Sequence, residues 1–441
     1  MTYSFEPIKK YIIANTLYCF FLFLWLCVIL SINIHAQHFE SSLNYNSSIF
    51  ELLKIILAKS QLLIFILLLL FFIVKVKVVN FFSSNKIILL FFIYGFLQFF
   101  PFFFKNINLA NTIFVIQYLN VILLLSIFSE IYKKKIKDVL IISYIVLFLV
   151  FIYFLTYYYL NYFSTENIMY GFYNEKINFI FEYNDPPRSS GISRSALFLL
   201  VFVEFGNFLL KKKIKYILIS ILFIPIILLT QSRINISLFL ILFIYLFIFI
   251  KEKKVFFLNY IIIPLLFIIV INIFKPSNNL FVNSKNDLSS GVSKVLEKNI
   301  RQTDKESFSS KRFESWFYIF ELKRKNLISD LDSIIGFGPQ GDRVFVKYSI
   351  SNALLYAFLS SGIIGVLILS LIYLNLIILL YKKIKSDFSL FLESEYVKIS
   401  FFLILFIVLR SFLENSFSIF GIDFVFLLTA IQTFNNEKKK S

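Results

Sequence analysis

The chain has 441 residues, 59% of them hydrophobic and 60 of them Phe, with a mean hydropathy of +0.81. That is too apolar for a soluble globular domain and marks a polytopic membrane protein. The net charge of +18 would suit a nucleic-acid binder, but the lysines come in short clusters between apolar runs, the pattern of loops that orient membrane helices, so no nucleic-acid partner is expected.

Apolar runs fall at 11–33, 55–74, 87–104, 109–131, 138–160, 191–210, 216–230, 234–250, 255–274, 351–380, 396–412 and 419–435. The first is long enough to span and more spans follow it, so no cleavable signal peptide is expected. It holds both cysteines, Cys19 and Cys27, which provide neither a disulfide framework nor a zinc site. Lysine clusters lie at Lys9-Lys10, Lys75 to Lys86, Lys133 to Lys137, Lys211 to Lys215, Lys251 to Lys254, Lys382 to Lys385 and Lys438 to Lys440. Twelve spans with both termini inside put all of them on the cytoplasmic side. The expected fold is an all-α bundle of about twelve spans. Residues 1–274 carry the first nine helices and an outer loop at 161–190. Residues 275–350 form a large outer loop, and 351–441 the last three helices and a cytoplasmic tail. The run 216–230 is short for a span, so that helix is expected to be tilted, shallow or broken.

Arginine is distributed differently from lysine. Arg188, Arg194, Arg233, Arg301, Arg312, Arg324, Arg343 and Arg410 all fall on the outer side of this topology. Lysine suffices to orient helices, whereas guanidinium is the choice where phosphate or carboxylate must be gripped with a planar fork. An anionic substrate on the outer face is therefore expected.

Four outer constellations carry candidate chemistry. Pro186-Pro187-Arg188-Ser189-Ser190-Gly191-Ile192-Ser193-Arg194 opens the run 191–210, where free N–H groups, a positive helix end and two arginines suit phosphate. Arg194 lies about one turn inside, costly unless it is paired or serves a substrate; the alternative is a snorkelling interfacial side chain. Thr230-Gln231-Ser232-Arg233 is either a plain tight turn or a site at the bilayer boundary. Arg410 and Glu414 are spaced to pair one helical turn apart, with Asp423 just beyond. They form a structural ion pair, or one positions a phosphate and the other a sugar hydroxyl. Gly336-Phe337-Gly338-Pro339-Gln340-Gly341-Asp342-Arg343 is a Gly-rich turn able to approach phosphate or sugar closely. Within the large loop, Phe313, Trp316, Phe317 and Phe320 recur at helical spacing beside Arg312 and Lys323-Arg324-Lys325, as in a helix lying on the membrane surface. Glu204 lies in the inner half of its helix, and a buried acid there needs a partner. His35 and His38 are not candidate catalysts, and no Walker, zinc-protease or serine-hydrolase motif is present.

These pieces resemble the O-antigen polymerase family, within the O-antigen polymerase/ligase superfamily of bacterial membrane glycosyltransferases. The resemblance rests on Pro187 to Arg194, Gln231-Ser232-Arg233, Arg312 with Trp316, Gly336-Phe337-Gly338, Ser351-Asn352-Ala353-Leu354, and Arg410 through Gly421 with Glu414-Asn415-Ser416. The related ligases place a histidine where this chain has Ser351, which weakens the ligase alternative. The resemblance implies a metal-independent enzyme of the bacterial inner membrane, without cofactors and with a GT-C-like helical core. It would join undecaprenyl-pyrophosphate-linked repeat units into O-antigen or capsular polysaccharide on the periplasmic face. Its partners would be those lipid-linked glycans, membrane lipids and, as a candidate, a chain-length regulator.

The residues fit that chemistry. Arg188, Arg194, Arg233, Arg312, Arg410 and Asn352 would bind pyrophosphate or glycan, since fixed guanidinium groups stabilise charge developing on a pyrophosphate leaving group. A carboxylate must take the acceptor proton; Glu414 is the first candidate, followed by Asp342 and Glu314. The alternatives are a ligase moving glycan to lipid A core, or a flippase with no chemistry.

Overall fold

The computed structural model describes residues 6–31, 49–76, 81–82, 85–104, 109–161, 189–206, 212–230, 232–250, 252–273, 312–325, 327–346, 351–386, 391 and 393–437. Among these no strand occurs, and every apolar run of the sequence coincides with a helix. The helices are α1 (Glu6–Ser31), α2 (Ile49–Lys75), α3 (Lys86–Leu97), α4 (Leu109–Ile131), α5 (Ile136–Asn161), α6 (Ser189–Phe205), α7 (212–229), α8 (Arg233–Phe249), α9 (253–273), α10 (Arg312–Arg324), α11 (Asp330–Ile335), α12 (Ala353–Ser386), α13 (Glu395–Ser411) and α14 (Ile422–Asn436). Among the described residues, five helical stretches are long and apolar enough to cross a membrane: Lys86–Phe103, Thr112–Ile131, Ile136–Tyr153, Lys253–Val270 and Ala353–Lys385. A helix satisfies its backbone hydrogen bonds within itself, which an apolar segment needs once water is absent.

Helix α14 is the axis of the bundle. Every residue from Ile422 to Phe434 is buried, and the helix packs on α13, α5 and α4. Helix α6 packs on α5, α7 and α13. Aromatic rings fill the contacts: Tyr118 stacks on Phe424 and Tyr144 on Phe202, each pair 3.8 Å apart. The polar residues of α14 are absorbed locally, the Thr429 and Thr433 hydroxyls donating to the carbonyls of Val425 and Thr429 at 2.7 and 2.8 Å. Outer faces of α5, α8 and α12 expose Leu149, Ile248 and Leu367, as suits contact with hydrocarbon.

One end of the bundle gathers lysines. Lys137 pairs with Glu437, Lys383 donates to the Glu437 carbonyl at 3.0 Å, and Lys212 reaches Glu252 at 3.2 Å. Helices α7 and α9 both start at this end, and each contains a π-turn, at Leu218–Phe223 and Leu258–Ile262. Pro225 and Pro264 follow these turns. A proline inside a helix removes one N–H and crowds the preceding turn, and the wider π-turn accommodates it. The short run at 216–230 is thus part of a helix that begins at Lys212 and is locally unwound.

The run 351–380 is not one straight helix. Gly362 has φ +64° and ψ −161° within α12, and a Cβ there would lie 2.1 Å from the Ile334 carbonyl oxygen. Asn352 donates to the Phe412 carbonyl at 2.9 Å, while Tyr373 donates to the Ser411 hydroxyl at 2.5 Å. A straight helix would set residues 352 and 373 about 32 Å apart, so the segment before Gly362 folds back along the rest. The carbonyls freed at the break are taken by the loop at 336–341: Phe337 and Gly338 donate their N–H groups to Leu359 and Ser360 at 2.7 and 3.0 Å. The glycines of the motif at 336–341 therefore serve backbone-to-backbone docking, since a Cβ on Gly336 or Gly341 would meet main-chain atoms at 2.5 or 2.4 Å.

Helix α10 is apolar on two sides rather than one. Ile319 and Leu322 are buried against Ile328, Val346 and Leu359, with Trp316 packed beside them. Phe317, Tyr318 and Phe320 are exposed. The aromatic residues expected to share one lipid-facing stripe are thus divided between a protein-facing and an outward-facing side.

Candidate functional site

At the end of the bundle opposite the lysines, three helix termini converge. Arg194 is in the second turn of α6, Arg410 in the last turn of α13, and Asp423 in the first turn of α14. Arg410 Nη1 donates to Asp423 Oδ2 at 2.7 Å, and Arg194 Nη1 lies 3.1 Å from Asp423 Oδ1. The side chains of Arg410 and Asp423 are 5% and 2% exposed, that of Arg194 17%. One carboxylate thus holds two guanidinium groups, one on each oxygen. Helix polarity favours this placement, with a cation at the C-terminus of α13 and an anion at the N-terminus of α14. Guanidinium charge buried this deeply needs a partner, and removing that partner from such an arrangement is strongly destabilising.

Two cations against one carboxylate leave the cluster with hydrogen-bonding capacity to spare. The Nε atoms of Arg194 and Arg410 and the Ser193 hydroxyl are buried without a hydrogen-bond partner. Buried donors left unmade are costly, so these atoms are candidate ligand contacts. What they would accept is an anion with several oxygens. Half-buried Glu414 follows directly on α13 and lies within electrostatic reach of Arg194. The hydrogen bond of Arg410 goes to Asp423, thirteen residues along the chain, across a helix-to-helix contact.

Asn352 joins this region as a cap. Its Oδ1 accepts from the Leu355 N–H at 3.0 Å, its Nδ2 donates to Phe412, and its N–H donates to Asn415 Oδ1 at 3.3 Å. It ties the start of α12 to the turn after Arg410, so the Ser351-Asn352 motif sits beside the site and also has structural duties.

The other candidates are spread more widely. Arg188 lies outside the described residues. Arg312 and Glu314 lie on α10, with side chains outside the described set. Arg233 is exposed at the start of α8, next to a turn in which Thr230 donates to Ile226 at 2.8 Å and Asn235 to the Ser232 hydroxyl at 2.9 Å. Asp342 is buried and opens a π-turn, Asp342–Val346. Glu204 has the partners its burial demands: Lys215 Nζ at 3.4 Å, and the Tyr260 hydroxyl donating at 2.5 Å. This cluster occupies the far end of α6 from Arg194. Among the described residues no group of three His, Cys, Asp or Glu side chains could hold a metal ion.

Sequence reasoning placed Arg194 and Arg410 but gave Asp423 no role. Its signal was present: a single carboxylate in the apolar run 419–435 needs a cationic partner. No protein-family model, curated protein or solved structure matches this chain.

Proposed function

We propose that this protein is a polymerase of lipid-linked saccharides. It joins undecaprenyl-pyrophosphate-linked repeat units into O-antigen or capsular polysaccharide on the periplasmic face of a bacterial inner membrane. In this reading the chain crosses the membrane twelve times around a GT-C-like core, with the lysine-rich end inside. The observation that carries the proposal is the convergence of Arg194 and Arg410 on one buried carboxylate with both Nε donors unpartnered. Such a site suits a pyrophosphate, which leaves as an anion and needs neither nucleotide nor metal once its charge is met by fixed guanidinium groups. Glu414, beside that pair, is the first candidate to take the proton of the acceptor hydroxyl. The outer-face motifs, in their order along the chain, support the same reading.

Deletion of the gene followed by gel analysis of surface glycan tests it. A polymerase mutant keeps a single repeat on lipid A core. Loss of that single repeat as well indicates a ligase, and accumulation of inward-facing lipid-linked units a flippase. An unchanged polymer ladder refutes the proposal.

A further inference from the structure

We infer that Gln340, Tyr94, Ser360 and Asp342 form a second subsite that takes the hydroxyl groups of a saccharide. The inference rests on the polymerase reading only for the identity of that saccharide, the acceptor end of a repeat unit.

Several unfavourable features coincide here. Gln340 has φ +55°, in the left-handed region where glycine would be free of strain. Its side chain is buried, and its Oε1 has no hydrogen-bond partner. The Tyr94 hydroxyl is also buried and without a partner at hydrogen-bonding geometry, although Ser360 is close by. Asp342 opens a π-turn, a conformation that recurs at functional sites. A strained backbone and unmet buried polar atoms are retained at one place when function requires them.

The groups come from three parts of the chain. Tyr94 is on α3, Gln340 and Asp342 are on the loop docked at Gly362, and Ser360 is on the folded-back half of α12. Asp342, Tyr356 and Tyr373 all lie within electrostatic reach of the Tyr94 hydroxyl, and the Gln340 N–H donates to the Tyr356 hydroxyl at 3.3 Å.

The chemistry of this set differs from that of the arginine cluster. An amide oxygen and a carboxylate only accept, and the Tyr94 and Ser360 hydroxyls accept or donate. The set therefore seeks a ligand rich in O–H donors, and its carboxylate repels an anion. Tyrosine rings alongside suit the apolar face of a sugar. The two sites share a wall: Tyr373 bonds to Ser411, the residue after Arg410, and lies within reach of Tyr94. The loop carrying Gln340 and Asp342 is pinned over the break by the hydrogen bonds of Phe337 and Gly338.

The test uses the full chain in lipid nanodiscs. The probe is the free repeat-unit oligosaccharide, released from the host's lipid-linked pool by mild acid, and it lacks the pyrophosphate. Binding is followed by saturation-transfer NMR. Gln340→Gly removes the amide at a position where glycine relieves strain, and Tyr94→Phe removes one hydroxyl; melting curves confirm that both are folded. Wild type is expected to bind, and each of the two variants about tenfold more weakly, the effect of one lost hydrogen bond. Absence of binding by wild type or wild-type affinity in both variants overturns the subsite. If the binding pattern holds while gene deletion leaves the polymer intact, the polymerase reading falls and the subsite stands.

Discussion

Asp423 is the counter-ion of two guanidinium groups, and its replacement separates their structural from their chemical duty. Asp423→Asn keeps the shape but leaves Arg194 and Arg410 without a charge partner. It is expected to cost about 3–5 kcal/mol, read as a lower melting temperature of the purified protein. Arg194→Lys keeps the charge and loses the planar fork. Polymer output should fall at least about tenfold, which corresponds to about 1.4 kcal/mol, with protein levels unchanged by immunoblot. Full polymer from Arg194→Ala would assign that arginine to anchoring alone. Glu414→Gln should abolish polymer without releasing the lipid-linked donor, and polymer from that variant would pass the role of base to Asp342 or Glu314. Both arginines were legible in the sequence because guanidinium at the end of an apolar run is chosen over lysine for a reason. Their pairing was not: Arg194 and Asp423 are 229 residues apart, and only the packing of α6 against α13 and α14 brings them together. Local spacing instead suggested Arg410 with Glu414, one turn away on the same chain segment.

Helix α12 shows what a hydropathy pattern conceals at the scale of one element. Ser360-Ser361-Gly362 lies inside a run apolar enough to read as a single span, and the three small residues were the available clue. Gly362→Ala would place a Cβ 2.1 Å from the Ile334 carbonyl in a conformation that L residues resist. It is expected to detach the loop at 336–341, measured as faster hydrogen exchange at Phe337 and Gly338; unchanged exchange would show that the loop is held by other contacts. The same loop is braced by α11, whose first turn carries a capping box between Ser329 and Asp332. Lys323 reaches Asp330 at 2.7 Å and holds that carboxyl below its ordinary range. The contribution of this exposed pair is present above the ordinary carboxylate range and is lost as pH falls through the lowered value. Helix α10 was legible in position and length but not in its sidedness, because the sequence alone does not say which aromatic residues find a protein partner.

For the molecule as a whole, the separation of charges along the bundle is its most general property. Lys137, Lys383 and Glu437 meet at one end, and Arg194, Arg410 and Asp423 at the other. The proposed topology follows this separation and is open to direct measurement. In a background with Cys19→Ser and Cys27→Ser, Ser284→Cys should react with an impermeant thiol reagent added to intact spheroplasts, and Ser386→Cys should not. Labelling of both, or of Ser386→Cys alone, is incompatible with the model. The positions of the apolar helices among the described residues were legible because an apolar segment without water has few alternatives to a helix. The tertiary fold was less so, since lipid and protein interior are equally apolar and hydropathy does not say which face of a helix meets which.

The doubling back of α12 also bears on biogenesis. While the chain is being synthesised, Ala353–Ser386 reaches the insertion machinery as a 34-residue helical stretch whose apolar part, 353–380, exceeds the roughly 20 residues that a span requires. The anchors that hold Asn352 in place, Phe412 and Asn415, leave the ribosome 60 and 63 residues later. The bend is therefore completed only after α13 has been synthesised. Until then its freed carbonyls depend on the loop synthesised just before, through the N–H groups of Phe337 and Gly338.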